Sequence, residues 1–347
     1  MKTKYIMIAL LSAVGCKQST STDNTTIIKP AIITEPVLND SDDPAIWINK
    51  ENLSESLIIG TDKGGDQGEG ALYVFNLEGK ILKDKTFPIK RANNVDIAYH
   101  VKLGNQFVDI AICTERNTNS IRVFSLPDLR PIDNGGIAVF EGDSLRAPMG
   151  ISLYQTQGTT YAIVGRKNGT SGTYLWQYEL QDSSGFITGK VVRKFGNYSG
   201  RKEIESIAVD HELGYVYYSD EGVGVRKYYA HPDSSNIELA LFATTGFAAD
   251  HEGISIYQLT DSTGYILVSD QQANHFKVFT REGTNGNPHQ HALIKSLALS
   301  TTESDGSEVT SIALPGFAHG LFVAMCDDKT FQIYRWEDLA GGDLKSR

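Results

Sequence analysis

The sequence predicts an all-β fold, a six-bladed β-propeller, on three observations. Short segments alternate apolar and polar residues with the period of two of a half-buried strand, and they are rich in aromatic and β-branched residues. One unit recurs six times along the 347 residues: a polar residue, a strand, a turn, a second strand and a charged tip. Patterns of helical length are scarce after the first fifteen residues.

The clearest copy of the unit is 203–221, EIESIAVDHELGYVYYSDE. Residues 206–209 and 215–219 carry the alternation, and the turn at 210–214 joins them into an antiparallel hairpin. Such a hairpin sets the start of its first strand beside the end of its second, so Glu205 is expected next to Asp220 and Glu221. Three carboxylates on one rim raise one another's pKa unless a hard cation sits among them. Taken alone, the hairpin also reads as a solvated acidic turn.

In chain order, the first strands begin at Asp43 (DPAIWI), Asn94 (NVDIAY), Met149 (MGISLY), Glu205 (ESIAVD), Glu252 (EGISIY) and Thr310 (TSIALP), at spacings of 51, 55, 56, 47 and 58 residues. These are close to the length of a four-stranded propeller blade. Second strands end at Lys63, Arg116, Lys167, Glu221, Gln271 and Asp328. Third strands follow as ALYVFNL, SIRVFSL, TYLWQYEL, GVRKYYA, HFKVFTR and TFQIYRW, and outer strands are traced at 189–195 and 291–297. The repeats fill a single domain over 31–340.

Ahead of it, residues 1–16 place Lys2 and Lys4 before an apolar run that ends in Ala13-Val-Gly-Cys16. This is a lipoprotein-type signal peptide with Cys16 as the lipidated residue. Residues 17–30 read as a flexible tether. The expectation is an exported, monomeric protein: a bacterial cell-envelope lipoprotein at the outer membrane or periplasmic face, otherwise secreted. The membrane is engaged only through the lipid anchor. Beyond Cys16 the cysteines are Cys113 and Cys326, in apolar strand patterns that suit buried free thiols. A formal net charge of -10 argues against nucleic acid as a partner and is compatible with cations.

Inner-strand starts and second-strand ends share one face of a propeller. Blades one to three then bring Lys63, Arg116, Arg166 and Lys167 to the mouth; blades four to six bring Glu205, Asp220, Glu221, Asp250, Glu252, Asp270, Asp327 and Asp328. The alternation in Asp250-His-Glu252 sets both carboxylates on one side, and His251, pointing oppositely, reads as a packing or surface residue. The two half-rings could neutralise each other as ion pairs, although the acids outnumber the cations. Oxygen ligands favour Ca²⁺ over zinc. Metals facing cationic side chains suit a phosphorylated ligand and hydrolysis of a phosphomonoester. The glycine-rich stretch 63–70 lacks Walker spacing and reads as a blade hairpin.

Asp42-Asp-Pro-Ala-Ile-Trp47, Asn93-Asn-Val-Asp-Ile97, the 205–214 hairpin and Asp250-x-Glu-Gly253, in this order, resemble the β-propeller phytases, calcium-dependent phosphatases of alkaline type acting on inositol hexakisphosphate. The resemblance spans essentially the whole body. It implies a 3-phytase-type hydrolase that takes calcium phytate and releases phosphate through a calcium-activated water. It implies several Ca²⁺ ions on Asp42, Asp43, Glu205, Glu221, Asp250 and Glu252, with Asp305 serving a further ion. Asp220 is an additional candidate ligand, and Val95 contributes a backbone carbonyl. Lys63, Arg116 and Lys167 match the residues that hold substrate phosphates; Glu205, Glu221, Asp250, Glu252 and Lys167 form the implied catalytic set. Glu203 matches no family position.

Two departures stand out. Met149 occupies a place where the family commonly has tyrosine, and Thr310-Ser311 stands where an Asp-Gly pair is usual before the last inner strand. They keep a second reading in view, a non-catalytic calcium-dependent binding propeller. A lactonase-type calcium propeller needs one metal and no basic half-ring, and Lys63, Arg116 and Lys167 speak against it.

Overall fold

The alternating segments pair with their neighbours in the chain because short turns return each strand against the one before it. In the 203–221 unit, Ile207–Asp210 pairs with Tyr215–Asp220, and Asp210 stands opposite Tyr215. Gly214 takes the left-handed conformation at φ 70 that the return requires. The computed structural model describes residues 26–347. The expected signal peptide, Cys16 and most of the expected tether lie outside the described residues. From Ile28 the chain is already tied down: its N–H donates to Ala298 O at 2.9 Å, and its carbonyl accepts from Ser300 N at 3.2 Å.

Six antiparallel sheets form the blades, five of four strands and one of five. The inner strands are Ser41–Trp47, Ala92–Leu103, Pro148–Thr156, Ile207–Asp210, His251–Gln258 and Ser307–Thr310. They surround a channel with a cavity of about 280 Å³ whose wall includes Asp43, Asp96, Ser152, Ser206, Ser255 and Glu308. The last blade takes its outer strand from the other end of the described chain, with Ile32 paired to Ile333 and Ile33 to Gln332. Hydrogen bonds between the first and last strands thereby close the ring and cover the last blade's outer edge. Apolar side chains fill the seams between blades; Ile112, Val123, Ile151, Val164 and Trp176 share one such core. Cys113 and Cys326 are buried free thiols. Trp336, which begins the short helix Trp336–Ala340, stacks on Tyr257 at 3.5 Å. No helix among the described residues is long and apolar enough to cross a membrane.

The sixth inner strand differs from the expectation. It is Ser307–Thr310, so it ends where the sequence pattern placed its start, and its second strand is Leu321–Cys326. The pair before it is Asp305-Gly306, so the Asp-Gly that Thr310-Ser311 was expected to replace is present. The TSIALP run looked like a strand because its alternation is apolar. Ser307–Thr310 alternates Glu308 and Thr310, two polar residues that line the channel.

One irregularity repeats at the mouth. In blades one, two, three and five, two inner-strand residues stand opposite one residue of the second strand: Asp42-Asp43, Asn93-Asn94, Met149-Gly150 and Glu252-Gly253. Glu205-Ser206 and Asp305-Gly306 hold the same place, since Ser219 N reaches Ser206 O at 3.1 Å and Met325 N reaches Gly306 O at 3.0 Å. Such bulges re-aim side chains at sheet ends. The second bulge position is glycine where a neighbouring blade passes closely: a Cβ on Gly150 would meet Glu205 O at 2.1 Å, and one on Gly306 would meet Asp43 Oδ1 at 2.4 Å.

Gly150→Ala is therefore expected to destabilise the protein by about 1–3 kcal/mol through overpacking of the blade seam. The check is a lower urea midpoint at unchanged slope; an unchanged midpoint would show that the seam has slack.

Candidate active site

The side chains of the mouth are placed by two repeated devices. The bulge aims Asp42, Asn93, Met149 and Glu252 from four inner strands, and Glu205 and Asp305 hold the same place just ahead of the other two. The second device is a backbone bond just beyond each second strand: Lys63 N to Asp40 O at 2.8 Å, Arg116 N to Arg91 O at 3.0 Å, Lys167 N to Ala147 O at 2.8 Å, Glu221 N to Glu203 O at 3.3 Å, Gln271 N to Asp250 O at 3.4 Å and Asp327 N to Thr302 O at 3.1 Å. Strand alternation turns the preceding residue the other way, into the blade.

That alternation removes three expected residues from the mouth. Asp220 is buried with both oxygens engaged, by Arg226 Nε at 2.8 Å, Ser199 N at 3.0 Å and Ser199 Oγ at 2.7 Å, and it stands in neither acid group. Arg166 is fully buried and donates to Asp143 at 2.7 Å. Asp270 accepts from Ala248 N at 2.8 Å and pairs with Lys277 at 3.3 Å. Asp327 and Asp328 are exposed; Asp327 is held by Thr302, and Asp328 caps Thr330 at 3.1 Å. The shared rim of Glu205, Asp220 and Glu221 is thus replaced by two groups of three.

Asp42, Glu205 and Asp305 each offer an oxygen within 4.8 Å of the others, and so do Glu221, Asp250 and Glu252. Lys63 Nζ lies 3.0 Å from Asp42 and 2.7 Å from Asp305, and Asn93 Nδ2 donates to Asp42 at 3.0 Å. Arg116 stands 3.8 Å from Glu205 and against the Met149 thioether. Lys167, half-exposed, pairs with Glu203 at 3.0 Å. In the second group Lys202 Nζ lies 2.5 Å from Asp250 Oδ1 and 2.6 Å from Oδ2, and Gln272 Nε2 donates to Asp250 Oδ2 at 2.8 Å. Asp43 is the second bulge residue and faces the channel, where it accepts Val95 N–H at 3.0 Å. It belongs to neither group.

Burial, with like charge adding to it, pushes five of the carboxyls up. Glu205 and Glu252 lie well above the ordinary glutamate value, and Asp43 lies well above the aspartate one. Glu221 is pushed up to about 8 by burial and by Glu203 and Asp250. Asp305 rises to about 6 through burial, against the opposing pull of Lys63. Lys202, bonded to Asp250, is held above the ordinary lysine value.

Lys202, Glu203, Gln271 and Gln272 were not foreseen as parts of this site. Gln271 was findable, since it holds the repeat position of Lys63, Arg116, Lys167 and Glu221. Lys202 sits in a connection outside the repeated strands and carries no periodic signal, whereas Glu203 holds the repeat position of Asp250, two residues before the bulge place.

The donor set suits a hard divalent cation. Both groups consist of carboxylate oxygens alone, and Glu221 Oε1 and Glu252 Oε2 are buried without a hydrogen-bond partner. Among and beside them, Lys63, Arg116 and Lys167 can bind phosphate oxygens.

A family model described as Phytase matches residues 3–340. A curated relative, the 3-phytase of Bacillus subtilis (strain 168), is 30% identical over 332 residues, which covers 88% of this chain and 83% of that protein.

Free of metal, the protein is expected to lose stability as pH rises. Between 4.5 and about 8 for Glu221, and between 3.8 and about 6 for Asp305, the folded chain holds protons that the unfolded chain has released, so raising pH favours unfolding. Thermal midpoints in chelator across that window check this; a midpoint that climbs towards its upper end would contradict it.

Proposed function

The chain belongs to the phytase family, and from that premise we propose that it is a calcium-dependent phosphomonoester hydrolase that releases phosphate from phytate. The observation that carries the reading is the pair of all-carboxylate groups with Lys63 between Asp42 and Asp305, Arg116 beside Glu205 and Lys167 paired to Glu203. Asp42, Glu205 and Asp305 would hold one calcium and Glu221, Asp250 and Glu252 another, with Asp43 and the Val95 carbonyl contributing at the channel. Calcium bound there supplies a Lewis acid for phosphate oxygens and a water of lowered pKa.

The chain's own residues do the positioning. Arg116 offers a planar fork of donors to a phosphate, and Lys63 and Lys167 offer compact charges. Lys167 is 47% exposed and tied to Glu203, so a ligand reaches it without disturbing the core. Several phosphates on one small ring allow one to be anchored while another is placed for attack, which converts orientation into rate. The N-terminal pattern ending at Cys16 supports export and lipid anchoring. The binding-propeller reading draws on Met149, whose thioether brings no oxygen ligand to the bulge ring.

The folded protein is expected to release phosphate from phytate with calcium and to stop in chelator; no calcium-dependent release overturns the enzyme reading and favours a binding propeller. Lys167→Ala and Glu221→Ala are each expected to lower kcat/KM at least about tenfold with the circular dichroism spectrum retained. Unchanged rates would reject these residue assignments.

A further inference from the structure

The Glu221, Asp250 and Glu252 group contains a cation supplied by the chain itself. Lys202 Nζ contacts both oxygens of Asp250, at 2.5 and 2.6 Å. Asp250, Glu221 and Glu252 are 6%, 5% and 4% exposed, whereas the Lys202 side chain is 50% exposed. The ammonium therefore reaches a buried carboxylate from a stem that lies in solvent, and it can leave without opening the core. Its backbone stays in place, because the Tyr198 hydroxyl donates to the Lys202 carbonyl. Asp250 stays in place as well: its N–H donates to Gln272 Oε1 at 2.8 Å while Gln272 Nε2 holds its Oδ2.

We propose that Lys202 is a tethered competitor for the metal position of this group, so that a divalent cation binds there by displacing its ammonium from Asp250. The inference rests on the calcium reading above. One positive charge faces three carboxylates, and Glu221 Oε1 and Glu252 Oε2 remain unpartnered beside it, so the ammonium satisfies the group incompletely. A divalent ion brings twice the charge and several coordination positions to the same oxygens. Lys63 is a different case. Its side chain is 15% exposed and lies between Asp42 and Asp305, at a position set by the repeat. Lys202 enters from the connection between Phe186–Phe195 and Ile207–Asp210. It tunes metal affinity without being part of the coordinating set.

The test compares wild type, Lys202→Gln and Lys202→Arg, stripped of metal, by calorimetric titration with calcium and by thermal midpoint with and without calcium. Lys202→Gln is expected to bind one class of calcium roughly tenfold more tightly, the scale of a charge-assisted hydrogen bond at a partly exposed site. Lys202→Arg, which keeps the cation, is expected to stay near wild type. Without calcium the Gln variant should melt below wild type, and in saturating calcium the gap should close. A purely structural lysine would lower the midpoint in both conditions and leave affinity unchanged, and that result overturns the proposal alone. A wild type that binds no calcium overturns it together with the calcium reading.

Discussion

Crowding of buried carboxylates at one end of the channel is the constraint around which this molecule is arranged. Two groups of three acids, each compact enough to share one ion, occupy neighbouring parts of a single mouth. Burial pushes Glu205, Asp305, Glu221 and Glu252 towards protonation, and like-charged neighbours push further. The arrangement persists because a rigid frame holds it. Every acid sits at a bulge, beside one, or just past a second strand whose backbone bond is repeated around the ring. Side chains that repel one another cannot drift apart when the strands carrying them belong to a closed set of sheets.

The bulge is the device that turns a structural repeat into a chemical site. A plain strand would point alternate residues into the channel and into the blade; the extra residue re-aims one side chain at the mouth while strand pairing resumes behind it. Six equivalent positions result, and they need not carry the same chemistry. Glycine follows the first bulge residue in blades three, five and six because adjacent backbone leaves no room for a Cβ. Asp43 instead holds the Val95 N–H of the next blade. Part of the motif pattern that reads as a functional fingerprint is thus demanded by how the blades pack.

The fold was legible because strand period, turn residues and repetition agree, and blade boundaries followed from hydrophobic alternation. The same rule misplaced the last inner strand, where Glu308 and Thr310 line a polar channel and break the apolar pattern. Asp220 was read as a neighbour of Glu221, although consecutive strand residues face opposite ways; its place at the blade interior with Arg226 follows from alternation taken strictly. Glu205 and Glu221 were recognised as site residues, but their division between two groups depends on how far the blades are rotated about the channel, which strand pattern does not encode. Lys202 escapes the sequence reading for another reason, and Glu203, seen at the head of the 203–221 unit, precedes the repeat's first strand and matches no family position. The position of Lys202 is set by a connection whose conformation depends on Tyr198 and Asp250, contacts distant from any periodic signal.

Two alternatives that the sequence left open, a mouth that neutralises itself and a mouth that holds metal, describe the same residues in different partnerships. Each cation has an acid: Lys63 with Asp42 and Asp305, Arg116 with Glu205, Lys167 with Glu203, Lys202 with Asp250. On the proposed reading, a divalent ion that takes Asp42, Glu205 and Asp305 loosens Lys63 and Arg116, and one that takes Asp250 releases Lys202; freed cations are what a polyphosphate requires. Metal and anion then each favour the state that the other binds, and by linkage the coupling is equal in both directions. The ion pairs that would make a metal-free mouth inert thereby become the reason that calcium and a phosphorylated ligand would be taken up together.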